Sequence, residues 1–248
     1  MFYGNFTGDK AVEFKAALVN LNRFFTRVYA QDNLIALDRT MSFTRDKKFL
    51  EAFLQNAHTA QEKSLLWRLH TLAWAARHCL NVPGDFAECG VFRGFSFGVL
   101  TDYLDWGSVP KTLYLYDTFE GIPEAYNSEK RFNANIVFQS DPDLHEKVVK
   151  RFSKFPNVNV VKGIVPDSFA KARPKELSLL HIDMNSSKSE IAALEHLFDR
   201  MSPGGIIVFD DFGWLRYGRQ TFAEIEWMAQ RGHSVLELPT GQGLLVKH

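Results

Sequence analysis

Glu88-Cys89-Gly90-Val91-Phe92-Arg93-Gly94-Phe95-Ser96 is the stretch on which the fold turns. It follows the apolar pair Phe86-Ala87, opens a helical segment, and is answered one segment later by Tyr114-Leu115-Tyr116-Asp117. An acid followed by Gly-x-x-x-Gly at a strand-to-helix turn predicts a backbone that passes close to a ligand with no Cβ in the way. A second acid closing the next strand is placed to hydrogen-bond a ribose diol. The spacing differs from the Gly-x-Gly-x-x-Gly dinucleotide fingerprint. Taken alone, it also suits a tight turn in any α/β protein.

Working outward, strand-like runs at residues 85–89, 112–117, 158–161, 177–183 and 205–210 alternate with helical segments at 96–104, 142–155, 187–201 and 218–231. Short apolar strands separated by amphipathic helices predict a parallel sheet with helices on both faces. Two last strands, 233–238 and 243–247, are joined by Pro239-Thr240-Gly241-Gln242 and predict an antiparallel hairpin at the end of the sheet. The expected fold is therefore α/β, with a Rossmann-like, seven-stranded, mostly parallel sheet. Upstream, Leu65, Leu66, Leu69, Leu72, Ala73 and Ala76 form a helical stripe over 61–80, stopped by Asn81-Val82-Pro83-Gly84. Residues 1–59 have helical spacing at 11–29 and 46–56, with an irregular connection at 35–44. They read as a helical extension that covers substrate or pairs subunits, leaving 60–248 as the main domain. The aperiodic stretch 120–140 follows a strand's carboxyl end, where ligands of open α/β sheets bind, and reads as a lid.

The totals narrow the classes. The chain has 248 residues, 46% of them apolar, with 22 Phe and an equal 29 basic and 29 acidic side chains. A neutral chain has no electrostatic footprint for nucleic acid or an anionic membrane. No apolar run reaches the length of a membrane span, and the N-terminus lacks a basic region before an apolar core. Cys79 and Cys89 form neither a disulfide framework nor a metal knuckle, and read as reduced, packed thiols of a cytoplasmic protein.

Three acids fall at the expected carboxyl ends of neighbouring strands. Asp183 closes Leu179-Leu180-His181-Ile182-Asp183, and Asp210-Asp211 close Ile206-Ile207-Val208-Phe209. Carboxylates ending buried strands are costly unless something neutralises them, and a hard divalent cation such as Mg²⁺, which prefers oxygen ligands, would do so. Either Asp210 or Asp211 alone also reads as a helix cap. Asn185 is a neutral ligand, a cofactor contact, or part of a helix cap with Ser186.

Several segments together resemble the macrocin O-methyltransferase family, class I S-adenosylmethionine (SAM) enzymes that methylate sugar hydroxyls of macrolides and related metabolites. They are Pro83-Gly84-Asp85-Phe86-Ala87-Glu88-Cys89-Gly90-Val91-Phe92-Arg93-Gly94, Tyr116-Asp117-Thr118-Phe119-Glu120-Gly121-Ile122-Pro123 and Val161-Lys162-Gly163-Ile164-Val165-Pro166-Asp167-Ser168-Phe169. His181-Ile182-Asp183, the Ser202-Pro203-Gly204-Gly205 turn and Asp210-Asp211-Phe212-Gly213 continue the match. The resemblance implies a SAM-dependent, Mg²⁺-assisted transfer to a hydroxyl of a sugar-bearing small molecule, in a homo-oligomer. It places Glu88, Gly90, Gly94 and Ser96 on the methionine and ribose side of the cofactor, Asp117 and Thr118 at the ribose, and Gly163, Asp167 and Ser168 near the adenine. Asp183 touches both cofactor and metal, and Asp210 and Asp211 complete the metal positions. One departure is Asp183-Met184-Asn185 where the family pattern reads Asp-Gly-Asp.

The chemistry then expected is activation of a poorly nucleophilic hydroxyl. A chelated ion lowers its pKa and fixes it in line with the methyl carbon. Asp183 takes the proton, or a histidine does so: His145, which also reads as a solvent-facing helix position, or His181, which also reads as a packed strand residue. Three other readings stand beside this one: a catechol-type O-methyltransferase, a non-catalytic SAM-fold interaction module, and a nucleotide-binding oxidoreductase. The glycine spacing and terminal hairpin disfavour the last.

Overall fold

The computed structural model describes Phe2, residues 8–127 and residues 140–248. Before the main sheet come α1 (Asp9–Leu21), a hairpin of β1 (Val28–Gln31) and β2 (Leu34–Leu37), then α2 (Lys47–Asn56), α3 (Ala60–Ser64) and α4 (Leu66–Cys79). The hairpin replaces the end of the helix expected over 11–29 and part of the irregular connection at 35–44. Its two-residue turn has Asp32 and Asn33 both at positive φ, the mirror-image turn whose twist matches that of paired strands. The helix expected over 61–80 is broken at Leu65. A capping box between Thr59 and Glu62 starts the short α3, and α4 begins afresh one residue later.

From residue 85 the alternation matches the expectation closely. The elements are β3 (Asp85–Cys89), α5 (Phe95–Tyr103), β4 (Leu113–Asp117), α6 (Leu144–Phe152), β5 (Val158–Lys162), β6 (Leu177–Ile182), α7 (Ser187–Leu197), β7 (Met201–Phe209), α8 (Gly218–Ala229), β8 (Leu236–Glu237) and β9 (Gly243–Val246). The sheet order is β5-β4-β3-β6-β7-β9-β8, parallel through β7 and antiparallel at β9 and β8. β7 starts earlier than expected because Met201 already pairs with Leu177. The register then slips across Ser202-Pro203-Gly204-Gly205 before Ile206 meets Leu179. Among the described residues no helix is long and apolar enough to cross a membrane.

Strand alternation sorts the core into two layers. Phe86, Leu113, Leu115, Leu179, Ile206 and Val208 face α2, α4, α5 and α6. Ala87, Tyr116, Leu180, Ile182, Ile207 and Phe209 face α7 and α8. Strands buried on both faces read as continuous apolar runs, which is why the sequence marks them so clearly. Phe43, Phe49 and Phe53, from the segment before residue 60, belong to the first layer. Both cysteines are free and buried, as expected of packed thiols.

The chain runs outward from β3 to β4 and β5, then returns to β6 on the other side of β3. The loops after β3 and β6 therefore diverge, and a cleft opens at their carboxyl ends.

Because Phe49 is only 2% exposed, Phe49→Ala is expected to lower unfolding free energy by roughly 3–5 kcal/mol. Urea denaturation measures it, and a change below about 1 kcal/mol would show that the segment before residue 60 is not part of the cooperative core.

Candidate functional site

The cleft encloses ≈ 1320 Å³ and is walled by the turn after β3, the ends of β4, β6 and β7, and the start of α4. Gly90 (φ +93°) and Gly94 (φ +69°) both need a left-handed backbone. The obstruction a side chain would meet is protein. A Cβ on Gly90 would lie 1.9 Å from the Asp183 carbonyl oxygen, and one on Gly94 2.8 Å from the Phe152 ring. The glycines thus let the turn press against β6 and α6, and of the two it is Gly90 that lines the cleft, where a ligand was expected.

Asp117 holds that turn in place. The Val91 and Phe92 N–H groups donate to its Oδ2 at 2.7 and 2.8 Å, and the Phe119 N–H donates to Oδ1 at 2.6 Å. Burial pushes the carboxyl above its ordinary value, and these backbone donors oppose the rise. The Thr118 hydroxyl, 3.5 Å from Oδ1, is a fourth and longer contact, and the carboxylate lines the cleft.

A row of charged side chains crosses the sheet end on the α4 side. Glu88, His181 and Asp210 share one strand face, with Glu88 and His181 paired in register. Glu88 Oε1 and His181 Nδ1 are 3.0 Å apart, and His181 Nε2 lies 3.6 Å from Asp210 Oδ1. Burial alone would lower the imidazole's pKa, but the two flanking carboxylates raise it to about 10. His181 is thus held between two acids that favour its charged form, and is more than a packed ring. Burial raises Glu88 to about 7, against the pull of His181. Glu88 Oε2 is buried and has no hydrogen-bond partner among the described residues.

Arg68, in the first turn of α4, completes the row. Its side chain is 7% exposed, its Nε donates to Asp32 Oδ2 at 3.0 Å, and its Nη1 reaches Asp210 Oδ2 and, at 3.2 Å, Asp211 Oδ1. The Trp214 ring centroid lies 5.2 Å from the guanidinium carbon. Gln242 Nε2 donates to Asp210 Oδ1 at 3.0 Å. Burial raises the Asp210 carboxyl, but Arg68 and His181 hold it well below the usual carboxylate range. Neither Arg68 nor the hairpin tip at Asp32 was a candidate from sequence. The available signal was an arginine at the edge of the apolar stripe, three residues after Leu65 and four before Leu72.

Asp183 also lines the cleft, where burial and the charges of Asp210 and Asp211 raise its pKa well above 3.8. Asn185 donates to it at 3.3 Å, from a left-handed backbone (φ +57°) that the buried Glu190 fixes by accepting the Met184 and Asn185 N–H groups. Burial and neighbouring Glu224 raise Glu190 in turn, and burial raises Glu224 to about 7. The expected magnesium site does not fit this arrangement. Among the described residues no group of three or more His, Cys, Asp or Glu side chains is disposed to hold a metal ion, and a guanidinium engages both strand-end aspartates.

The other expected residues divide. Ser96, Thr118 and Gly163 line the cleft, although the Thr118 hydroxyl is spent on Gly121 O at 2.6 Å. Asp167 and Ser168 are not in the cleft wall, where Ile164 and Val165 stand instead. Ser168 is turned inward and is 1% exposed. His145 packs on Phe119, ring centroids 5.0 Å apart, and does not line the cleft either. Most of the lid expected over 120–140 lies outside the described residues. Its start is pinned where Ser186 Oγ donates to Tyr126 O at 2.6 Å.

An imidazole that titrates near 10 when folded and near 6.5 when unfolded stabilises the protein fully below about pH 6.5 and loses that contribution as pH rises toward 10. Glu88, raised from 4.5 to about 7, adds a loss of the same sign at lower pH. Urea stability is expected to fall between pH 7 and 10, with a shallower fall in His181→Gln; equal slopes would contradict the ion-paired imidazolium.

Comparison with known proteins agrees with this architecture. The macrocin O-methyltransferase (TylF) family model matches residues 4–232. An 8-demethyl-8-(2,3-dimethoxy-alpha-L-rhamnosyl)-tetracenomycin-C 4′-O-methyltransferase from Streptomyces olivaceus is 30% identical over 163 residues, 59% of this chain and 60% of that protein. A mycinamicin III 3″-O-methyltransferase from Micromonospora griseorubida is 28% identical over 156 residues, 55% of this chain and 60% of that protein. The matches thus span about three-fifths of these relatives' lengths. In fold, the O-methyltransferase NovP aligns with TM-score 0.59 at 20% identity, over 73% of this chain and 80% of NovP. The calicheamicin methyltransferase CalS11 aligns with TM-score 0.58 at 17% identity, over 85% of this chain and 94% of CalS11. The sheet is that of the class I methyltransferases, and the chain belongs to the macrocin O-methyltransferase family.

Proposed function

We propose that this chain transfers a methyl group from SAM to a hydroxyl on a sugar carried by a small molecule. The observation that carries the reading is a single cleft joining the unpartnered oxygen of Glu88 and the Asp117 carboxylate to the acidic ends of β6 and β7. Family membership supports the reaction class, and the relative whose name specifies a rhamnosyl tetracenomycin supports a sugar hydroxyl as acceptor.

When bound, SAM supplies a methyl group on a sulfonium, whose departure needs no proton. The cleft's own residues suit the rest. Glu88 Oε2, buried and lacking a donor, suits the ammonium of the methionine portion. Asp117 lines the cleft and suits ribose hydroxyls, which can replace the long Thr118 contact on Oδ1, while Ile164 and Val165 offer an apolar wall for a base. At the other end, Asp183 is the carboxyl suited to take the acceptor's proton. Burial and two neighbouring carboxylates raise its pKa, and a raised pKa makes a carboxylate a stronger base. His145 drops out of the role because it lies away from the cleft wall. No step is assigned to a divalent ion, since Arg68 stands among the side chains that would hold it.

Calorimetric titration with S-adenosylhomocysteine (SAH) tests the reading. Wild-type protein is expected to bind it, and Asp117→Asn to weaken binding by about tenfold or more, near 1.4 kcal/mol. Methyl release is expected with glycosylated acceptors and not with their aglycones. Folded wild-type protein that fails to bind SAH would contradict the proposal.

A further inference from the structure

We propose that Arg68 is a built-in cation that takes the place of a divalent ion at the acceptor end of the cleft, so that methyl transfer by this chain needs no metal. The catalytic half of this statement rests on the methyltransferase reading above. The metal-binding half stands on the side chains alone.

The oxygens of the acids are already occupied. Asp210 has Oδ2 against Arg68 Nη1, while its Oδ1 accepts from Gln242 Nε2 at 3.0 Å. The Gln242 amide is itself oriented, because Thr240 Oγ1 donates to its Oε1 at 3.0 Å. Asp211 Oδ1 lies 3.2 Å from the same Nη1. A cation entering here would have to displace hydrogen-bonded donors from Asp210 and face a fixed positive charge.

Arg68 is itself held in place. Its Nε and Nη2 grip Asp32 at 3.0 and 3.4 Å from the opposite side to the strand ends. Asp32 is 6% exposed, at the tip of the β1–β2 hairpin. Withdrawing the guanidinium would leave Asp32 buried and without that partner, so the fork is held from both ends. The donor set is also short of an acid. Asn185 puts a neutral amide, donating to Asp183, where a further acid would have strengthened a hard-ion site.

Arg68 acts through Asp210 and Asp211 and is therefore a positioning residue. It neutralises the strand-end carboxylates and fixes their directions, as an ion would, while leaving none of the open coordination positions by which an ion binds a hydroxyl.

The test uses the full chain saturated with SAH, titrated with Mn²⁺ alone and followed by electron paramagnetic resonance. The expected spectrum is that of free aqueous Mn²⁺, with turnover in excess EDTA within about twofold of turnover in Mg²⁺. Arg68→Ala is expected to lower kcat by about tenfold or more with SAH affinity little changed, and Arg68→Lys to recover part of it. If Arg68→Ala does not fold, the wild-type titration and the Arg68→Lys kinetics still decide. One Mn²⁺ bound per wild-type chain and lost in Asp210→Asn would overturn the proposal, as would EDTA-abolished turnover restored by Mg²⁺. Failure of SAH to bind would count against the methyltransferase reading, and the Mn²⁺ result would stand apart from it.

Discussion

A single buried guanidinium ties together parts of this molecule that are far apart in sequence. Arg68 reaches from α4 to the hairpin tip at Asp32 on one side and to Asp210 and Asp211, past the end of β7, on the other. Buried ions cost several kcal/mol each in desolvation, and close, hydrogen-bonded partners offset that cost. Removing one partner from such a set typically costs on the order of 3–5 kcal/mol, because the remaining charge is stranded. The N-terminal hairpin thus supports the cleft from behind, since it supplies a carboxylate to the cation that holds Asp210 and Asp211.

The same logic extends along the row. His181 bridges Glu88 and Asp210, so the acid beside the glycine turn and the acids past the end of β7 belong to one electrostatic chain. Asp117 anchors the other wall by collecting the N–H groups of Val91, Phe92 and Phe119. Gly90 and Gly94 permit the close contact between that turn, β6 and α6. The two ends of the cleft are held by different means. One relies on backbone donors converging on a carboxylate, the other on alternating side-chain charges.

The sheet was legible because its strands are apolar on both faces and its turns carry Gly and Pro. The acids were legible because Glu88, Asp117, Asp183 and Asp210 each interrupt or end such a run. What neutralises them was not. Arg68 sits in an amphipathic helix, where an arginine ordinarily reads as solvent-facing, and its partners lie 36, 142 and 143 positions away. The hairpin escaped notice because its turn is Asp-Asn, without the glycine that marks most two-residue turns. Asp167 and Ser168 followed the family pattern, but the chain places Ile164 and Val165 in the cleft wall and turns Ser168 inward. Local pattern determined the elements; which charge meets which was set by tertiary packing.

The most direct measurement is a crystal structure of the SAH complex grown in excess Mn²⁺, with anomalous data collected at the manganese edge. The account predicts the Arg68 guanidinium between Asp32 and the Asp210–Asp211 pair, with no anomalous peak among the carboxylates. A manganese peak bound by Asp183, Asp210 and Asp211, with Arg68 swung away from them, would contradict it.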